Sequence, residues 1–265
     1  MRWGSKMASV AAVSLLLVVP GLAFAAPVLS LPTLTWHGPY HSTTTSGNWA
    51  GYAVTGSKGS VTFVNGSWTV PTVTGCRAGS SSYSSFWVGI DGYSSSSVEQ
   101  TGTDSDCHGA TAQYYAWYEF YPKPSHTIST LTIHAGDVIY ASVSFASAKF
   151  TVTLRDNTTG LSFSTSAAVA SAQRSSAEWI AEAPASFSTL PLANFGTVNF
   201  GFDTTALPAT NSATLNGTTG LLGSFSTAVS IDMVGVHHAS LVKAQTSAIS
   251  SDLSSFSITW KARGP

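Results

Sequence analysis

Charge is the scarcest property of this chain: Asp, Glu, Lys and Arg make up 9% of its 265 residues, against about a quarter in an average globular domain. Eleven basic residues face twelve acidic ones. Loss of the first 25 residues would remove Arg2 and Lys6 and leave a weakly negative surface, which excludes electrostatic capture of nucleic acid or of an anionic membrane. Few ion pairs can form, so few are lost when carboxylates protonate, and tolerance of acid is expected. Serine, threonine and glycine must supply the solubility that charge does not.

Long apolar runs are also missing, with one exception. Val10 to Leu22 follows Arg2 and Lys6 and ends in Ala23-Phe24-Ala25, the pattern of a cleaved secretory leader over residues 1–25. The run is too short to span a bilayer comfortably, and nothing later offers about 18 consecutive apolar residues. A secreted, extracellular protein with no membrane contact after leader removal is therefore expected. Residues 26–46 are rich in Pro, Ser and Thr, contain no acid, and suit a linker or short pro-segment ahead of a single domain over 47–265.

Cysteine is limited to Cys76 and Cys107. In an exported chain such a pair most simply forms one disulfide. A metal site on two cysteines would need further ligands at short spacing, and only His108 is adjacent. Several catalytic signatures are absent too: there is no Gly-Xaa-Ser-Xaa-Gly elbow, no His-Glu-Xaa-Xaa-His, and no Asp-Thr-Gly or Asp-Ser-Gly. His237 and His238 are sequence neighbours, so on a strand their rings would point to opposite faces. No repeat of 20 to 50 residues suggests a propeller or solenoid.

What is present is a succession of short β-branched and aromatic runs separated by Ser/Thr/Gly-rich turns: "SVTFVNGSWTV", "SFWVGIDG", "AQYYAWYEFYP", "TLTIHAGDVIYASVSF", "KFTVTLRDNTTG", "SAEWIAEA", "TVNFGF", "SFSITW". Strands at this spacing predict an all-β sandwich or barrel. Side chains alternate along a strand, so parity sorts the polar groups. Tyr115, Trp117, Glu119 and Tyr121 share a face; so do Trp87, Gly89 and Asp91, then Gln100, Gly102 and Asp104, and finally Glu178, Ile180 and Glu182. Two acids four residues apart on a strand stand about 13 Å from each other, too far to share a proton or one metal ion. Each needs a partner from another strand. A carboxyl set among Trp and Tyr is costly to ionise, which raises its pKa and suits it to proton transfer in mildly acidic solution. A salt-bridged or solvent-facing structural acid is the alternative at this point.

Taken together, "GNWAGY" (47–52), "FWVGIDG" (86–92), "EQTGTD" (99–104), "AWYEFYP" (116–122) and "AEWIAEAP" (177–184) resemble the glutamic peptidases, or eqolisins, in order and spacing over nearly the whole mature chain. The resemblance implies a sandwich of two packed antiparallel sheets with concanavalin-like architecture, and an acid-active endopeptidase with a Glu/Gln dyad. Carried over by position, the dyad is Glu182 and Gln100, with Glu178 as rival for the glutamate. Trp49, Asp91, Asp104, Glu119, Tyr121 and Glu178 fall on positions that line or support the cleft. No metal, cofactor or covalent enzyme intermediate is required, and the expected partner is a polypeptide met by a monomer. Two other readings use the same residues: a lectin-like sandwich stacking sugars on Trp87, Trp117, Tyr115 and Tyr121, or a glycoside hydrolase pairing Glu119 with Glu182. Gln100 separates them, because neither alternative has an evident use for it.

Overall fold

The computed structural model describes residues 42–264 apart from Phe187. The expected leader and residues 26–41 of the expected linker lie outside the described residues. Helix among the described residues is confined to one turn at Phe202–Thr205 and a 3₁₀ turn at Leu222–Ser224. Strands supply the rest of the regular structure, as the alternating pattern requires.

One layer runs from the edge strand Ser42–Ser46 through Ala228–Val234, Trp49–Thr55, Ser176–Glu182, Ser85–Ile90, Val98–His108 and Thr111–Tyr121 to the short strand His126–Thr127. The other contains Ser162–Ala167, Lys149–Asp156, Val138–Ala146 and Val61–Thr69, and continues through Thr197–Phe200, Phe256–Trp260 and Val242–Thr246. Val242–Thr246 also pairs with the end of Ala228–Val234, across a register shift, so the layers are joined there. The ladders are antiparallel except Ser42–Ser46 against Ala228–Val234, which is parallel. That edge strand occupies the last five residues of the stretch read from sequence as a linker. Its hydroxyl-rich composition hides it, because an exposed edge strand carries no apolar alternation.

Tryptophans close the space between the layers. Trp68, Trp179, Phe86 and Phe200 are fully buried there, and each such phenylalanine contributes roughly 1.5–3 kcal/mol of burial free energy. The polar end of each indole finds a partner in the opposite layer: Trp179 Nε1 donates to the Asn65 carbonyl at 2.7 Å and Trp68 Nε1 to Thr103 Oγ1 at 2.9 Å. These bonds fix the two sheets laterally, which non-directional apolar contact cannot do. Asn65 begins a glycosylation sequon but is buried, its amide held by Ser212 and the Ala209 carbonyl.

The register of the first layer sets up the site. A single row of facing residues crosses all eight strands, from Thr44 through Ile231, Gly51, Ile180, Trp87, Gly102 and Trp117 to Thr127. Two residues along, on one side, lies the row Trp49, Glu182, Ser85, Asp104, Tyr115. On the other side lies the row Glu178, Gly89, Gln100, Glu119. Glu182 and Gln100 therefore stand on opposite banks of the Trp87–Gly102 row.

Cys76 and Cys107 form the expected disulfide. It ties the loop before Ser81 to the end of Val98–His108.

Candidate active site

Glycines seat the tryptophan at the centre of this face. A Cβ at Gly102 would lie 2.6 Å from the Cβ of Trp87, and one at Gly89 would lie 3.0 Å from its ring. The bare backbone at both positions lets the Trp87 indole lie along the sheet. From there Trp87 Nε1 donates to Glu182 Oε2 at 2.9 Å. Asn48 Nδ2 donates to the other oxygen, Oε1, at 3.1 Å. Trp49 meets Trp87 edge-on with ring centroids 4.9 Å apart.

Glu182, Gln100, Glu119, Asp104, Tyr115 and Trp117 line one cleft of about 420 Å3. Ser125, Thr127, Pro184, Ala185 and Leu190 also line it. Burial pushes the Glu182 carboxyl up to about 7; the donors Trp87, Trp49 and Asn48 oppose this, and the nearby Glu119 adds to it. Gln100 is 6% exposed. Its Nε2 donates to Glu119 Oε2 at 2.7 Å, and its Oε1 is buried without a hydrogen-bond partner among the described residues. Burial raises the Glu119 carboxyl above the ordinary range, and the bond from Gln100 pulls it back.

Asp104 is nearly buried and engaged: Ser85 Oγ donates to Oδ1 at 2.5 Å, and the Tyr115 hydroxyl lies 2.7 Å from Oδ2. The same hydroxyl is 3.0 Å from Asp106 Oδ2. Burial raises both carboxyls, and Asp104 is raised further by the neighbouring Asp106.

The remaining expected site residues part company here. Glu178 is fully buried, lies outside the cleft lining, and is held well above the ordinary carboxyl range by burial. The geometry therefore separates the two acids of "AEWIAE". Glu178 is sealed from solvent in the middle of its strand, whereas Glu182 is only half-buried, at the end of the same strand. Asp91 is also buried, at positive φ, and accepts hydrogen bonds from the backbone of Gln173, Arg174 and Ser175 and from the Ser175 hydroxyl. It anchors that loop and reaches no cleft. Tyr121 is 46% exposed and outside the lining, and Trp49 lines an adjoining groove.

Sequence reasoning passed over Asn48, although it sits inside the quoted "GNWAGY". A single polar residue before a half-buried tryptophan gives no periodic signal. No Lys or Arg forms an ion pair with any of these acids among the described residues; the only pairs there are His108–Asp106 and His134–Asp137. The salt-bridged alternative for the strand acids is thereby removed.

A family model described as the Peptidase A4 family matches residues 47–255. The chain belongs to the Peptidase A4 family. Within it, aspergillopepsin-2 of Aspergillus niger is 34% identical over 178 residues, which cover 58% of this chain and 62% of that protein. Scytalidopepsin B of Scytalidium lignicola is 39% identical over 119 residues, covering 44% of this chain and 43% of that one. The matched stretch thus spans less than two thirds of either relative. Among solved structures, scytalido-glutamic peptidase with a transition state analog inhibitor superposes with a TM-score of 0.66 at 28% identity, over 82% of this chain and all of the other. Aspergilloglutamic peptidase from Aspergillus niger gives 0.54 at 28% identity, over 68% and 99%. The sandwich architecture is thus shared with known members of the family.

Proposed function

We propose that this chain is a secreted endopeptidase, working from mildly acidic to neutral pH, in which Glu182 and Gln100 act on one water molecule and one peptide bond. The observation that carries the reading is the cleft that Glu182 and Gln100 share, with N–H donors on both Glu182 oxygens and a Gln100 oxygen that has no hydrogen-bond partner among the described residues. Family membership supports it, as do the peptide-based transition state analog and the tripeptide bound by solved relatives.

In this mechanism the ionised Glu182 takes a proton from water as the water oxygen attacks the scissile carbonyl carbon. The carbonyl π electrons move to oxygen, and the second N–H of the Gln100 amide donates to that developing oxyanion. Gln100 Oε1 accepts from the water's other hydrogen and orients it. The tetrahedral species then expels the amine, and the proton held by Glu182 passes to the leaving nitrogen. Proton and electron pairs balance with the carboxylate regenerated. A carboxyl raised to about 7 is a stronger base when ionised than an exposed glutamate, and it holds its proton until the leaving group needs it.

Glu119 and Glu182 share the cleft as a sugar-cleaving carboxylate pair would. The Gln100 amide bound to Glu119 favours the peptidase reading instead. Digestion of an unfolded protein from about pH 2 to pH 8 tests it. The wild-type chain should cleave, Glu182→Gln should be inactive, and Gln100→Ala should lose roughly a hundredfold to a thousandfold in kcat, as for removal of an oxyanion donor. Full activity in either folded variant overturns the dyad.

A further inference from the structure

The turn that leads from the edge strand Ser42–Ser46 into Trp49–Thr55 is built around one hydroxyl. Ser46 Oγ accepts from the backbone N–H of Asn48 at 3.3 Å and from that of Trp49 at 3.2 Å, and it donates to Asn48 Oδ1 at 3.2 Å. A hydroxyl has one proton and two lone pairs, so all three are engaged. The turn is also held from both flanks. The buried Lys243 donates from Nζ to the Gly47 carbonyl at 3.4 Å, and the Asn48 carbonyl accepts from the backbone N–H of Ala183 at 2.8 Å. Ala183 follows Glu182 directly, so the backbone of Asn48 is pinned one residue from the carboxyl.

The two ends of the Asn48 amide have nearly the same shape, and only their partners decide which way round it sits. Oδ1 meets the Ser46 hydroxyl, and Nδ2 donates to Glu182 Oε1 at 3.1 Å. Turned over, the amide would set a carbonyl oxygen against a carboxylate oxygen. It would also aim an N–H at a serine oxygen whose lone pairs are already occupied by two backbone donors. The direction of one O–H bond on the edge strand therefore decides which end of the amide faces Glu182.

We infer that Ser46 is a positioning residue for Glu182: through Asn48 it aims a donor at Oε1 and so sets the pH at which the carboxyl gives up its proton. The effect on catalysis rests on the dyad reading; the effect on the carboxyl does not. An N–H aimed at Oε1 favours the ionised form, against burial and the repulsion from Glu119. The other donors are Trp87 and Trp49, the other carboxyls in the cleft are Glu119 and Asp104, and the cation on the turn itself is Lys243 on the Gly47 carbonyl. Ser46 is the last residue of the stretch read from sequence as a linker, and it reaches Glu182 only through the amide.

The test follows Glu182 without turnover. Trp87 Nε1 donates to Glu182 Oε2, so the indole N–H resonance of Trp87, assigned by its loss in Trp87→Phe, reports protonation of that carboxyl. In Ser46→Ala the midpoint of its titration should rise by about half to one pH unit, and the acid limb of kcat/KM should rise with it while the plateau stays within about twofold. Ser46→Thr keeps the hydroxyl and should return both to the wild-type position. Asn48→Ala should move the midpoint at least as far, and adding Ser46→Ala to it should move it no further, because the serine acts through the amide. Ser46→Cys, whose thiol donates weakly, should also raise the midpoint and serves where the alanine variant does not fold. An unmoved midpoint in a folded Ser46 variant, or additive shifts in the double variant, overturns the positioning role. A midpoint that moves in a chain that cleaves nothing keeps this role and sinks the dyad; cleavage with a fixed midpoint does the reverse.

Discussion

Gln100 Nε2 donates to the Glu119 carboxylate at 2.7 Å, while Gln100 Oε1 is buried and has no hydrogen-bond partner among the described residues. The two ends of a primary amide are nearly the same shape, so only hydrogen-bond partners decide which end faces which way. Glu119 thus holds one N–H of Gln100 and so fixes which way round the amide sits in the cleft lining.

Glu119→Ala is expected to free the amide to rotate. A hydrogen bond to a charged group contributes about 1.5–3 kcal/mol, so kcat should fall roughly tenfold to a hundredfold with a smaller change in KM. Glu119→Gln should recover part of the loss, because its carbonyl can still accept from Gln100. Steady-state kinetics on folded variants would check this, and equal activity in all three proteins would refute the positioning role.

Trp87→Phe removes the N–H donated to Glu182 Oε2. That donor favours the ionised carboxylate, so its loss raises the Glu182 pKa above the present value of about 7. Activity that requires ionised Glu182 rises with pH through that pKa, and the acid limb of kcat/KM should move to higher pH by about one to two units. A pH–rate profile of the two proteins reads the shift directly; a limb that stays in place would mean that Glu182 is not the titrating group.

Glu99 is fully buried, and neither of its oxygens has a hydrogen-bond partner among the described residues. Burial first, and Asp91 second, raise it from 4.5 to about 8, and it faces Glu178 as well. Between those two values the native state keeps a proton that the unfolded chain has released. Stability should therefore be highest below about pH 4.5 and fall by about 1.4 kcal/mol per pH unit as pH rises toward 8. Glu99→Gln cannot ionise and should flatten that slope, so thermal melts at pH 4 and pH 7 should differ less than in the wild type. An unchanged difference would show that Glu99 does not carry this dependence.

The disulfide links residues 31 apart in sequence. By the chain-entropy relation, the paired Cys76→Ser and Cys107→Ser substitutions should cost about 3–4 kcal/mol. Denaturant melts with and without reductant would measure it. Because the bridge lies at the far end of Val98–His108 from Gln100, the refolded variant should keep its catalytic constants.

Much of the face was legible from parity alone. Gln100 with Gly102 and Asp104, Trp87 with Gly89, and Glu178 with Ile180 and Glu182 occupy the faces that a period of two assigns. The edge strand Ser42–Ser46 was not legible, because its residues are polar on both faces and its partner lies nearly 190 residues away in the chain. Asn48 escaped for a related reason: its importance comes from what Glu182 needs, not from a pattern around itself.

Residue order, through side-chain alternation and the scarcity of charge, determined that this chain is an all-β sandwich or barrel with acids on an aromatic face. Only the tertiary structure decided which acid of "AEWIAE" shares a cleft with Gln100, because that depends on ladder register between strands far apart in sequence and on an indole seated over two glycines. Alternation specifies the side from which a residue projects. The distance between two projecting groups is set by hydrogen-bonded registry and close packing, and those are properties of the assembled sheet.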